Sequence, residues 1–480
     1  EFIRRVHLDV VGMLPTPEVT RAFLADPSET KRDAMIESLL AQPEFVDYWT
    51  YRLSDLFLIS GRKLRPDALK SYYQWLRGEM EKGTPWDQIV RQVVSARGDT
   101  MKNGATNFYS VHQDPETMAE NVSQAFMSLS INCAKCHNHP LEKWTNDQYY
   151  SFANLFARVR AKGWGGDARS GNGARTLFIA NRGDLIQPRT GKPQPPAPLD
   201  GQAIESDSPE DRREALAAWL TAPENPYFTR SIANRVWANF FGRGIVEPVD
   251  DLRVSNPASN EPLLETISAH LVENRYDLKA LMRLILQSET YQRTSAPLPE
   301  NMGDQKYYSR YYPRRLMAEV LQDAITSVTR ISPKYDKITL ADGSTQGTNF
   351  YRDGTRALQL FDSSVTSYFL KTFGRNEREI TCECERSNKP SMVQVLHLSN
   401  GDTLNSNLRS EQSCVNVMIP QSDEEIIEGT YLLCLSRPPS DGERKRLIAM
   451  FDSTPETERR AAIEDLFWAL MTSREFLFQH

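Results

Sequence analysis

The chain has 480 residues, of which 40% are hydrophobic, 10% aromatic and 25% charged, proportions that fit a folded globular protein and exclude a disordered one. Its 57 basic and 63 acidic residues give a net charge of −6 and a pI near 5.8. That balance excludes a generic nucleic-acid binder, which needs a basic face to displace counterions. Mean hydropathy is −0.53 and no apolar run approaches the ~20 residues that span a bilayer, so no integral membrane segment is expected. The chain begins at Glu1 and runs straight into apolar sequence. It reads as processed or trimmed, with any signal peptide outside it.

Helical patterns dominate from the start. Thr16 caps a helix over 17–25 with Pro17 at its first position, and Ser28 precedes an apolar face over 30–41. Residues 44–60 and 66–82 are amphipathic, and Thr84-Pro85-Trp86-Asp87 opens a further helix. Asp114-Pro115 starts a helix over 115–131, and Thr145 starts one over 146–160. Composition then shifts: 161–205 is rich in Gly and Pro, with extended pieces at 176–180 and 184–187, and reads as an irregular insert. Helices resume at 209–221, at 228–241 with Gly242 as terminator, and near 261–274, 277–288 and 312–329. A polar loop with one hairpin is expected over 332–358. Further helices follow near 362–373, 389–398, 423–435, 440–452 and 456–477. The expected fold is mainly α: a first helical domain over 1–160, an irregular insert over 161–207 and a second helical domain over 208–480.

Six cysteines are too few for a disulfide scaffold, but their spacing is informative. Cys133-Ala-Lys-Cys136-His137 has the spacing of a c-type haem attachment site. Two thiols with two residues between them can both reach one edge of the porphyrin, and the following histidine can ligate the iron. Two other readings stay open. The cysteines can form an ordinary disulfide or redox pair. Alternatively Cys133, Cys136, His137 and His139 can hold zinc, which usually draws a second ligand pair from beyond a loop; Cys382 and Cys384 are the candidates to supply it.

On these residues the chain resembles the large planctomycete and verrucomicrobial cytochrome c-like proteins built from paired domains of unknown function 1549 and 1553. The first half resembles them through the run from Phe2-Ile3-Arg4-Arg5 to Leu14-Pro15-Thr16-Pro17 and through Cys133-Ala-Lys-Cys136-His137-Asn138-His139-Pro140 with Trp144-Thr145. The second half does so through Asn234-Arg235-Val236-Trp237, Arg314-Arg315-Leu316, Cys382-Glu383-Cys384-Glu385-Arg386 and Leu396-His397-Leu398. The resemblance implies an exported, periplasmic setting beside polysaccharide-degrading systems, and it carries no reaction with it.

Cys382 and Cys384 are expected to bond elsewhere, to ligate, or to stay reduced, because a bridge between cysteines two apart is strained. Bridges to Cys414 and Cys434 are the plainer alternative. The favoured arrangement brings Cys133–His137 and Cys382–Arg386 to one shared site, with Glu385 and Arg386 placing a proton and a positive charge beside a haem propionate or an anionic substrate. His397, His139, His112, Met127 and Met392 are candidates for a sixth iron ligand. Trp164, flanked by glycines, is a sugar-stacking candidate. The basic residues Arg158, Arg160, Lys162, Arg182, Arg189 and Lys192 suit an anionic polysaccharide. The expected function is a mono-haem c-type redox protein. It is read as an oxidoreductase that exchanges electrons with a partner cytochrome, with a non-catalytic carrier or glycan-binding scaffold as the alternative. A zinc- or disulfide-stabilised helical protein without haem is the third reading.

Overall fold

Several helix starts in this chain are set by side chains that take the first free backbone N–H groups. Thr16 accepts from Val19 N, Asp114 from Thr117 N and Asp277 from Lys279 N. Thr145, Ser391, Ser422 and Ser440 each form a reciprocal capping box with the Gln or Glu three residues on. Gly83 and Gly242 terminate their helices at φ 66° and 71°, a conformation a side chain would resist. The computed structural model, which describes residues 1–162, 173–340, 342–387 and 389–480, is accordingly mainly α-helical, with sheets of only two or three short strands.

Several boundaries differ from the sequence pattern. Phe2–Val10 is a helix that the sequence reading left unassigned, since no capping side chain marks its start. Pro43–Leu56 and Pro115–Met127 stop early, where Leu58 and Ser128 turn left-handed at φ 53°. Asn146–Asn154 likewise stops early. Val159–Lys162 then pairs antiparallel with Thr176–Ile179, whose other edge takes Gly98–Asp99. Arg314–Arg315, expected in a helix, instead forms a two-stranded ladder with Phe478–Gln479. The hairpin expected in the polar loop is Lys337–Thr339 with Thr345–Gly347. Asp402–Arg409 and Cys414–Met418 are helices with no counterpart in the sequence reading.

One continuous apolar core runs through both halves of the chain. Buried cations stitch its ends together. Arg4 donates to the carbonyls of Cys434 (3.0 Å) and Phe476 (2.8 Å), and Arg5 to those of Arg293 (3.0 Å) and His480 (3.2 Å). Each is a charge-assisted bond that satisfies a helix-end or loop carbonyl.

The deepest polar cluster joins Pro43–Leu56 to the second half. Asp55 pairs with Arg378 (2.9 Å) and Arg386 (2.8 Å), Arg386 also pairs with Glu319 (2.7 Å), and Tyr51 Oη donates to Glu319 (2.7 Å). Burial alone would raise both carboxyl pKa values. Arg386 in each case, joined by Arg378 at Asp55, more than offsets it and holds both acids below their ordinary range.

This cluster sets a pH-dependent stability. The unfolded chain binds protons at Asp55 and Glu319 more readily than the folded one, so the contribution is complete above the ordinary carboxylate pKa of about 4 and is lost as pH falls below it. Asp55→Ala leaves two buried guanidinium groups short of a partner. It is expected to cost about 3–5 kcal/mol in denaturant unfolding and to flatten the acid limb of the stability profile. Loss of under about 1 kcal/mol, the range of an exposed ion pair, would refute the role given to the cluster.

Candidate functional site

The Cys133–His137 motif follows the helix Pro115–Met127. Left-handed Ser128 ends that helix, and its hydroxyl shares a 2.7 Å hydrogen bond with Ser231. Buried Ile131 then anchors a 3-10 turn over Asn132–Lys135. The turn is clamped from beneath by Asn146, itself buried, whose Nδ2 donates to the carbonyls of Ala134 (2.8 Å) and Lys135 (2.9 Å). Asn146 N donates to Asn138 Oδ1 (3.0 Å), and His139 N to Trp144 O (2.8 Å). Asn146 begins the next helix, so the capping box at Thr145 fixes the clamp as well as the helix start.

Cys133 and Cys136 are both free thiols exposed on this turn. The two histidines of the motif differ in chemistry. His137 Nδ1 lies 2.7 Å from Asn138 O; a carbonyl only accepts, so Nδ1 carries the hydrogen and Nε2 keeps its lone pair. His139 Nδ1 accepts from Leu141 N (3.2 Å), which puts the hydrogen of the neutral ring on Nε2. His112 also accepts at Nδ1, from Asn121 Nδ2 (3.2 Å), whose orientation is fixed by its bond to Thr117 O. Burial first, then Lys63, pushes its pKa down to about 3, so the ring stays neutral. Of the three histidines near the motif, His137 alone presents a nitrogen ready to ligate.

Cys133 lines a cavity of about 920 Å³ whose opposite wall is the second-half segment Glu379–Cys384. The walls are bonded across the halves. Thr381 Oγ1 donates to Asn121 Oδ1 (2.8 Å), Glu383 N to Asp250 Oδ2 (3.0 Å), and Gln124 Nε2 to Asp250 O (2.8 Å). Leu141 and Ile380 line it and remain 62% and 54% exposed, with Pro140, Pro248 and Val249 beside them. Six acids also line it, and each has a donor within the protein. Tyr149 Oη serves Glu120 (2.6 Å), Gly244 N serves Glu247 (2.9 Å), Glu383 N serves Asp250, and Arg253 pairs with Asp251. Arg62 bonds Glu379 (3.3 Å), while Arg52 (3.7 Å) and Arg235 (3.6 Å) pair with Glu383.

Cys382 and Cys384 also line this cavity, and they are bonded to each other. This corrects the expectation that they bond elsewhere, ligate or stay reduced. Cys382 caps a 3-10 turn over Glu383–Glu385, which brings the two Cα atoms to 5.1 Å, within ordinary disulfide reach. Cys414 and Cys434, the alternative partners, are free and buried.

The residues nominated for catalysis lie elsewhere. Arg386 is consumed by Asp55 and Glu319 in the buried cluster and does not face the cavity. The Glu385 carboxylate accepts from Glu379 N (3.0 Å), so it braces the wall from behind. Burial raises its pKa and the N–H groups of Ile380 and Glu379 lower it, leaving it raised overall. His397 packs among Tyr368, Phe369 and Phe373 and hydrogen-bonds Thr403 Oγ1 through Nε2 (2.9 Å). Met127 is fully buried, and Met392 is exposed on the helix that carries His397. Among the described residues no three His, Cys, Asp or Glu side chains converge as a zinc ion requires. Trp164 lies outside the described residues. Arg158, one of the basic residues assigned to a glycan, spends its guanidinium on the carbonyls of Ser206 and Ser208.

Sequence reasoning missed Asn146, Asp250, Arg253 and Glu383. Only Glu383, lying between the two cysteines, had a signal that marked it. The thiols give a direct check. In chain made without haem attachment, Cys133 and Cys136 are expected to alkylate in the folded state. Cys414, whose thiol burial pushes up to about 12, and Cys434 should alkylate only on unfolding. Equal labelling of all four under native conditions, read by peptide mass, would contradict this placement.

Two family profiles match the chain. That of the protein of unknown function DUF1549 (PSCyt2) covers residues 1–161, and that of the protein of unknown function DUF1553 (PSD1) covers residues 212–451, half of the sequence. No curated protein and no solved structure matches. With one profile supplying the free-thiol wall of the cavity and the other the disulfide wall, the chain belongs to the DUF1553 family and carries the paired DUF1549 domain in front of it.

Proposed function

We propose that this chain is an exported c-type redox protein that holds one haem through Cys133 and Cys136, with His137 as the iron ligand. One observation carries the reading: two free, exposed thiols share a clamped turn with a histidine whose Nδ1–H is spent on Asn138 O, leaving Nε2 as a lone-pair donor. A hydrogen bond of this kind ordinarily fixes the tautomer of a ligating histidine. When bound, the haem would supply one-electron chemistry at iron.

The protein's own groups suit such a neighbour. Leu141 and Ile380 offer apolar surface that water would otherwise wet. Lys63 and Arg253 carry positive charge on the same walls, paired there with Glu379 and Asp251. Neither His112 nor His139 offers a lone pair at Nε2, so no cavity histidine stands ready as a second ligand. This favours an oxidoreductase with room for a reactant over a carrier with both axial positions filled. Export and a link to polysaccharide breakdown rest on the family resemblance, and a partner cytochrome is the proposed source or sink of its electrons.

The test is the absorption spectrum of protein matured with haem-attachment machinery and then denatured. A porphyrin band that stays with the chain is expected. Cys133→Ala with Cys136→Ala should abolish it, and His137→Ala should retain the covalent porphyrin with an altered ferrous spectrum. A colourless, iron-free product from competent maturation would overturn the reading.

A further inference from the structure

Three of the six cysteines, Cys133, Cys382 and Cys384, line one cavity, and Cys136 directly follows the turn that carries Cys133. Cys133 lines it with its thiol free, Cys136 is free and exposed at the end of the same 3-10 turn, and the Cys382–Cys384 disulfide lines it from the other half of the chain. Cys414 and Cys434 are buried away from it. We propose that this cavity is a thiol–disulfide exchange site, in which the Cys133–Cys136 dithiol of the haem-free chain and the Cys382–Cys384 disulfide interconvert. The proposal goes beyond the haem reading and stands independently of it, since it concerns the chain before any thioether is formed.

The exchange needs no outside oxidant. The Cys133 thiolate attacks Cys384 Sγ; a Cys133–Cys384 bond forms, the Cys382–Cys384 bond breaks, and Cys382 leaves as thiolate. The Cys136 thiolate then attacks Cys133 Sγ, which forms the Cys133–Cys136 disulfide and releases the Cys384 thiolate. The two protons given up by Cys133 and Cys136 end on Cys382 and Cys384. Two electrons pass from one pair to the other, and the chain holds one of these disulfides throughout.

The direction of attack follows from the surroundings. Cys384 is the more exposed residue of its pair. Cys382 Sγ accepts a hydrogen bond from Cys384 N (3.1 Å), so the leaving sulfur already has a donor for its developing charge. The Arg253 guanidinium, paired with Asp251, lines the same cavity as Cys133. Both pairs sit at short 3-10 turns, Asn132–Lys135 and Glu383–Glu385, and Cys133, Cys382 and Cys384 line the same cavity.

Full-length haem-free Cys136→Ser lacks the second thiol and should trap the intermediate. Held at about pH 8 without oxygen or added thiol, then alkylated and digested unreduced, it should yield a peptide joining Cys133 to Cys384, with Cys382 alkylated. Cys133→Ser should show no such peptide. Wild-type chain provides a readout free of substitution: Cys133–Cys136 disulfide should appear together with an equal share of alkylated Cys382 and Cys384. An intact Cys382–Cys384 peptide and a fully alkylated Cys133 in both proteins would overturn the proposal and leave the haem reading untouched.

Discussion

Asp55, Glu319, Arg378 and Arg386 put four charges where almost no water reaches. That is costly unless every member is met by another. The segment after Glu377 is held by this condition. Arg378 and Arg386 bracket the stretch 379–385, and both guanidinium groups must return to Asp55 on Pro43–Leu56. The loop between them is therefore pinned at both ends to the first half of the chain. Its middle, Glu379–Cys384, is left to face the cavity.

The same geometry explains why the most reactive-looking residues are not at the site. Arg386 follows directly on the cysteine segment in sequence, but its side chain turns inward to Asp55 and Glu319. Glu385 turns back on Glu379 N and stiffens the turn. Three of the cavity acids, Glu120, Glu247 and Asp250, are likewise spent on single internal donors. The cavity walls thus carry sulfur, apolar surface and carboxylates, with Lys63 and Arg253 paired to Glu379 and Asp251.

The fold class was legible because helix starts in this chain are written in local chemistry: Thr16-Pro17, Asp114-Pro115, Thr145 and Ser440 all cap where the pattern places them. Phe2–Val10 was not, since it is amphipathic but begins with no capping side chain to mark its start. Arg314–Arg315 pairs with Phe478–Gln479 over a separation that no local signal encodes. At the site, the sequence pointed to both cysteine pairs and to their meeting across the halves. It gave no sign of the Cys382–Cys384 bond, which depends on a turn at Glu383–Glu385. Nor did it mark Asn146, whose role exists only because the following helix returns beneath the motif turn.

The contrast among the six cysteines carries the functional argument furthest. Sulfur kept for packing is buried, as Cys414 and Cys434 are, and burial disfavours the thiolate that any chemistry needs. Cys133 and Cys136 have the opposite setting, on a surface turn held rigid by Asn146, and Cys382–Cys384 faces the cavity that Cys133 opens onto. A chain that needed these four only for stability would gain more by linking its halves through long loops than by closing a bridge across one residue. Three of them instead line one cavity, and the buried ion cluster ties the segment carrying Cys382 and Cys384 to the first half of the chain.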